Sequence, residues 1–481
     1  MLAPPKERDS RMQLTRKTAK LALAITALAA VQGGAAESPE AESVQRPITP
    51  NSVRSFDAVP ANSALRYDTD YPVIGYSRTP RHNAVARLQE RIDRGEVRLE
   101  YREPRGYLDS LLEHLDIDPS SQTLLYSKTS LQFLAINAST PRALYFNEDT
   151  YVGWIPGTDL LELMTMDAEL GPVFYGLANE PGAEQKLVRE TSRCLTCHDT
   201  YGMMGGGVPR FLLLSATVDT SGALLPGGRS FELEPDTPMS ERWAGWFVTG
   251  RHGSMEHLGN ILIPPTREPV DLTRVRRGNI DSVDGLFDVK PYLRNTSDIV
   301  ALLVFEHQVH VHNAITRFNY KARTFLAQEA ANRGQAEVHW QDASPRIRTG
   351  VQRMMDQIVE TMFFVGVPEF TDEIQGTSGF DRWFESRGPT DPQGRSLRQL
   401  DLRTRLLKYP LSYMVYSAEF DALPHFAKTY IYGRFAEVLS GRDQSGKFAH
   451  LSAEDRRAIF EILTATKPEF AELVGHSSAG T

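Results

Sequence analysis

Apolar residues change rhythm twice along this chain, and the changes divide it. Early on they recur at helical spacing. Ala84, Ala86, Leu88 and Ile92 share one face of a helix over residues 82–92, and Leu108, Leu111, Leu112 and Leu115 mark a second. The apolar runs then shorten and fill with aromatic and β-branched side chains. Residues 123–126, 143–146, 151–154 and 160–164 read as strands. Residues 211–218 and 223–225 flank Asp219-Thr220-Ser221-Gly222, a hairpin signal. Toward the C-terminus helical spacing returns and lengthens, over residues 299–327, 346–365, 426–439 and 453–463; the second ends near Gly366 and Pro368. Ser452 stands at the N-cap of the last helix with Asp455 three residues on, a capping-box variant. Residues 375–394, rich in Gly, Pro, Ser and Asp, read as a loop. No internal repeat is present. The pattern predicts an α+β fold, with short strands in a mixed N-terminal region and a mostly helical C-terminal region.

The N-terminus does not fit this pattern. Arg16, Lys17 and Lys20 precede an apolar run over 21–31, and the small residues Gly34, Ala35 and Ala36 follow. That is the layout of a secretory signal peptide, and the run is too short for a stable membrane span. Met12 would begin a cleaner signal. An uncleaved anchor is the rival reading, disfavoured by the same length. Residues 37–63 are rich in Pro, Ser, Glu and Ala without periodicity and read as a disordered tether.

Length and charge narrow the classes further. The chain has 481 residues, 41% of them hydrophobic, enough for two or three domains. Its net charge is -8, and residues 1–36 hold six Lys/Arg against two Asp/Glu, so their removal makes the rest more acidic. Nucleic acid is a poor partner for such a chain, whereas a basic protein partner suits it. After the signal no apolar run reaches transmembrane length.

The candidate chemistry lies in Cys194-Leu195-Thr196-Cys197-His198, which contains the chain's two cysteines. C-x-x-C-H is the pattern of covalent c-type haem attachment, in which two thiols add across the haem vinyl groups and the histidine binds iron. Export supports this, because such attachment happens outside the cytoplasm. A zinc site would need a second ligand pair at short spacing. A thioredoxin-like C-x-x-C should follow a buried strand, whereas residues 188–193 are a polar lead-in. One covalent haem c is therefore expected, with Cys194, Cys197 and His198 holding it. The expected layout is a signal peptide over 1–36, a disordered linker over 37–64, an α+β region over 65–185, a haem-binding region over 186–290 and a helical region over 291–481.

A sixth iron ligand is expected from residues 243–260, a segment dense in aromatics, glycines and soft or nitrogen ligands. His257 leads, then His252, then Met255. Met203 and Met204 lie so close to His198 that the chain would have to wrap the haem edge almost fully extended. Arg210, Arg242 and Arg251 could pair with haem propionates or be ordinary surface arginines. A second histidine group, Glu306-His307-Gln308-Val309-His310-Val311-His312, puts His307 and His310 on one helix face. A separate metal, a haem-facing role and a structural network are the three readings of it. Trp154, Trp243 and Trp246 read as core residues.

The haem motif gives the chain the look of a c-type cytochrome. In small class I cytochromes a proline soon after the motif offers its carbonyl to the proximal histidine, and the resemblance gives Pro209 that role here. The alternative is a flexible turn, since Gly205-Gly206-Gly207-Val208-Pro209 would mark one regardless. Residues 142–147, 151–154, 194–198, 243–260 and 307–313 together resemble large exported bacterial monohaem proteins, over residue 65 to the C-terminus. The resemblance implies haem binding and electron transfer with a redox partner protein, in the periplasm or otherwise exported. It brings no substrate. A haem-dependent oxidoreductase and a haem-based sensor are the alternatives.

Overall fold

The computed structural model describes residues 71–199, 207–272 and 278–478. The expected signal peptide (1–36) and linker (37–64) lie outside them, as do Met203, Met204, Gly205 and Gly206. The fold is α+β. Helices α1 (Ala84–Asp93) and α2 (Leu108–His114) come first. Asn83 caps α1 by accepting from the Ala86 N–H at 2.9 Å.

Strands β1 (Thr123–Leu125), β2 (Arg142–Phe146), β3 (Thr150–Trp154), β4 (Leu160–Asp167), β5 (Gly171–Ala178) and β6 (Val188–Glu190) follow as an antiparallel meander. A single turn, α3 (Leu195–His198), carries the C-x-x-C-H segment. Strands β7 (Leu214–Ala216) and β8 (Ser230–Glu232) pair with each other, and β9 (Trp246–Phe247) returns to the open edge of β1. The main sheet therefore has seven strands in the order β6-β5-β4-β3-β2-β1-β9. The expected hairpin turn is present: Asp219 Oδ1 accepts from the Ser221 N–H at 2.8 Å, and the Ala223 carbonyl from the Asp219 N–H at 2.8 Å. Strand β5 was not expected. Its Gly and Pro mask the signal, yet it pairs with β4 from Leu160↔Ala178 to Asp167↔Gly171.

The sheet is covered on both faces, which is why its strands are near-continuous apolar runs rather than alternating ones. Tyr145, Val152, Leu161 and Leu163 share one apolar cluster with Val85, Leu88, Leu108 and Leu111 of α1 and α2. Leu144, Phe146, Tyr151 and Met166 share the other with the helical region.

That region is organised by α4 (Ile299–Asn332), 34 residues long. Asp298 caps it, accepting from the Val300 and Ala301 N–H groups at 2.8 and 3.2 Å. Its other oxygen accepts from Thr377 and Ser378 N–H at 2.7 and 2.8 Å, tying a later loop to the helix start. Residues 299–309 are buried all round, so the first half of α4 is a core helix with no solvent face. Around it stand α5 (Pro345–Met362), α6 (Phe380–Glu385), α7 (Ala418–Asp421), α8 (His425–Leu439), α9 (Ala453–Thr466) and α10 (Pro468–Ser478). The capping box of α9 is formed as expected, with Ser452 and Asp455 bonding each other's backbone. The stretch over 375–394 is more than a loop: α6 sits inside it and buries Phe380 and Phe384. Among the described residues no helix is long and apolar enough to cross a membrane.

Candidate functional site

One turn of α3 gathers the C-x-x-C-H donors. The Cys194 carbonyl accepts from the Cys197 and His198 N–H groups at 3.2 and 2.9 Å. At spacings of three and four residues, both cysteines and His198 lie on one side of that turn. Cys194 is half-buried, Cys197 is exposed, and neither is in a disulfide. Burial, aided by Glu190 and Glu162, pushes the Cys194 thiol well up, so it is protonated at neutral pH.

His198 is fixed by its own loop. Its Nδ1 lies 3.0 Å from the Arg210 carbonyl. A carbonyl only accepts, so Nδ1 carries the hydrogen and Nε2 the lone pair. The Arg210 N–H returns a bond to the His198 carbonyl at 2.8 Å. The acceptor is thus one residue beyond Pro209. Asp199 and Pro209 form an antiparallel bridge, and in that register the residue opposite His198 is Arg210. The same peptide unit is gripped from its other end. The Phe211 N–H donates to Asn313 Oδ1 at 2.9 Å, and Asn313 Nδ2 donates to the Phe211 carbonyl at 3.0 Å. Asn313 belongs to α4, so the long helix sets the orientation of His198 through one peptide. Nothing in the sequence singled out this asparagine beyond its place beside the histidine group.

The surroundings keep the imidazole neutral. Burial above all holds His198 down to about 4; Arg142 and Arg210 push the same way, against the hydrogen bond to the Arg210 carbonyl. The Phe174 ring of β5 packs on it at 4.8 Å. Arg142 and Glu162 pair at 2.7 Å between β2 and β4, crossing Gly153 of β3. A Cβ at Gly153 would meet the Arg142 guanidinium at 2.4 Å, so only glycine allows that crossing. Arg210 pairs with Glu232 at 2.6 Å, Arg242 with the buried Glu306, and Arg251 with Asp281 at 3.1 Å on the surface. Each arginine expected for a propionate already holds a carboxylate.

This donor set fits a c-type haem: two thiols on one turn, beside a neutral imidazole whose lone pair is on Nε2. Cys194 and Cys197 would hold its vinyl-derived carbons and His198 its iron. Among the described residues no group of three or more His, Cys, Asp or Glu is placed to hold a metal ion.

The structure brings the expected distal residues to one another. His252 and His257 meet edge to face at 4.7 Å, and Trp243 lies edge-on to His257 at 5.6 Å. His257 Nδ1 accepts from the Gly259 N–H at 3.0 Å, which puts the hydrogen of a neutral ring on Nε2. His252 is the reverse: Nδ1 lies 2.6 Å from the Met255 carbonyl, and its buried Nε2 has no hydrogen-bond partner among the described residues. Met255 is buried beside them. Trp243 Nε1 donates to Glu306, whereas the His198 loop is held at Asn313, seven residues further along α4.

The second histidine group splits three ways. His307 Nε2 bonds Ser412 Oγ at 2.7 Å and its ring stacks on Phe364 at 4.1 Å. His312 bridges Glu419 at 2.7 Å and the Glu148 carbonyl at 3.1 Å. His310 faces a cavity. The three tryptophans are buried, with Trp246 Nε1 donating to the Leu214 carbonyl at 2.8 Å.

No protein-family model matches this chain, and no curated protein or solved structure matches it either.

Proposed function

We propose that this chain is a c-type cytochrome with one haem bound through Cys194 and Cys197, His198 as proximal ligand, passing single electrons to a redox partner outside the cytoplasm. The observation that carries the reading is the Nδ1 hydrogen bond of His198 to the Arg210 carbonyl, made on the turn that also holds both thiols. A bound haem would supply one-electron iron chemistry. The chain's own part is positional. The Arg210 carbonyl selects the tautomer and direction of the imidazole, and burial beside Phe174 keeps it unprotonated. The net charge of -8 favours encounter with a basic donor or acceptor. The basic, apolar and small-residue order of 1–36 supports export, and the resemblance to exported monohaem proteins points the same way.

The test is covalent attachment. Produced with periplasmic haem-attachment machinery and run on a denaturing gel, the wild-type chain should take a haem stain. The double variant Cys194→Ala, Cys197→Ala should not. An unstained wild-type band, or a stained double variant, overturns the assignment.

A further inference from the structure

Apart from the C-x-x-C-H turn, a cavity of about 360 Å³ lies between α4, α5 and the loop that follows α5. No residue of α3 lines it. Its volume is in the range of small-molecule sites. Leu303, Phe370, Leu407 and Pro410 give it an apolar wall. Phe364 stands in the wall with φ at +58°, a left-handed conformation costly for an aromatic residue, and lays its ring on His307. Strain of this kind gathers at ligand sites.

Most charged groups around the cavity are paired, although the buried Arg405 Nε has no hydrogen-bond partner among the described residues. Arg242 is held by Glu306, the Thr237 carbonyl at 3.0 Å and the Pro235 carbonyl at 3.3 Å. His307 is bonded to Ser412 and His450 to the Phe363 carbonyl, both at 2.7 Å. Glu360 pairs with Lys447, and Arg405 with Asp455, both at 2.6 Å. His310 is different: it lines the cavity, and its ring makes no hydrogen bond to the protein among the described residues. It is a neutral imidazole at pH 7, since burial, then the nearby Arg242, holds it down to about 4. It therefore offers one donor and one acceptor.

Charge selects the ligand class. Each cation around the cavity is matched by a carboxylate, and Glu369 adds an exposed negative charge at the rim. An anion would meet guanidinium groups already paired with carboxylates and would lose its hydration. We infer that this cavity binds a small uncharged phenol or aromatic alcohol, its hydroxyl on His310 and its ring against the apolar wall. The inference is independent of the haem assignment, because the two sites share no residue.

Titration calorimetry of the full chain with phenol, toluene and benzoate tests it. Phenol should bind at least tenfold more tightly than either toluene, which lacks the hydroxyl, or benzoate, which is charged. His310→Leu should cost phenol at least tenfold and leave toluene unchanged, and His310→Gln should restore most of the loss. Benzoate binding as tightly as phenol, no phenol binding at millimolar concentration, or a His310→Leu variant with unchanged phenol affinity would overturn the inference. Should both variants misfold, the three-ligand series on the wild-type chain decides by itself.

Discussion

At the peptide joining Arg210 to Phe211, two hydrogen bonds point in opposite directions. The carbonyl takes the His198 ring, and the N–H goes to Asn313. Asn313 is a positioning residue, acting on the imidazole through a backbone plane. Asn313→Ala removes two bonds to buried backbone, a cost of about 2–3 kcal/mol at roughly 1–1.5 kcal/mol each. A structural role alone would stop there. If His198 ligates a haem as proposed and the plane orients its imidazole, the variant should still take up covalent haem yet change its midpoint potential, because the hydrogen bond to Nδ1 tunes ligand basicity. Protein-film voltammetry reads this directly, and an unshifted potential with lowered stability would reduce Asn313 to a packing residue.

Among the elements, α4 does the sorting. Its first half holds the segment with His252 and His257 through Trp243 and Glu306, and its middle holds the His198 loop through Asn313. The two anchors, Glu306 and Asn313, are about two helical turns apart along α4. The expectation from composition was that residues 243–260 supply the sixth ligand. Because the two segments are anchored on different turns of α4, we expect His252→Ala and His257→Ala each to leave the visible spectrum of the haem-loaded protein unchanged. A low-spin to high-spin change in either variant would return that residue to the iron. The tautomers add a ranking. His252, with its bare Nε2, is the better ligand of the two, although soft-ligand density alone had favoured His257.

For the whole molecule, the consequence of so many buried histidines is a dependence on pH. Residues 71–478 belong to one compact unit whose two apolar clusters meet across the sheet, so a penalty anywhere is felt by the fold. His307 is held down to about 3, by burial first and by His310 and His312 after it. In the unfolded chain it titrates near 6.5, as an ordinary histidine does. Below that value the unfolded state binds a proton that the native state refuses, so stability falls as pH falls from about 6.5 toward about 3. At pH 5 the loss from His307 alone is about 2 kcal/mol, at 1.36 kcal/mol per unit. Buried carboxylates such as Glu306 and Asp149, raised by burial, oppose this trend, so a comparison with a variant isolates the histidine. Urea unfolding at pH 7 and pH 5 should show the smaller acid loss in His307→Gln. Equal losses in the two proteins would mean that His307 does not titrate on unfolding.

What the sequence alone determined is what neighbours along the chain determine. The C-x-x-C-H turn, the Ser452–Asp455 box, the Asp219 hairpin and the long helix from Ile299 are all local, set by spacings of a few residues. The α+β division was legible for the same reason, since periodicity is a local property. The tertiary structure decided whatever joins distant segments. The bridge between Asp199 and Pro209 moves the acceptor for His198 from Pro209 to Arg210, because register is fixed by pairing and not by residue type. Asn313 reaches Phe211 across 102 residues, a link no composition reveals. Strand β5 forms despite its Gly and Pro because β4 supplies a full partner edge, and α6 forms inside a loop-like stretch because Phe380 and Phe384 find a core. The histidines near residue 310 carry identical side chains and yet have three fates. Their ring contacts come from Ser412, from Glu419 and from a cavity, and those positions lie on segments that only the folded chain brings to α4.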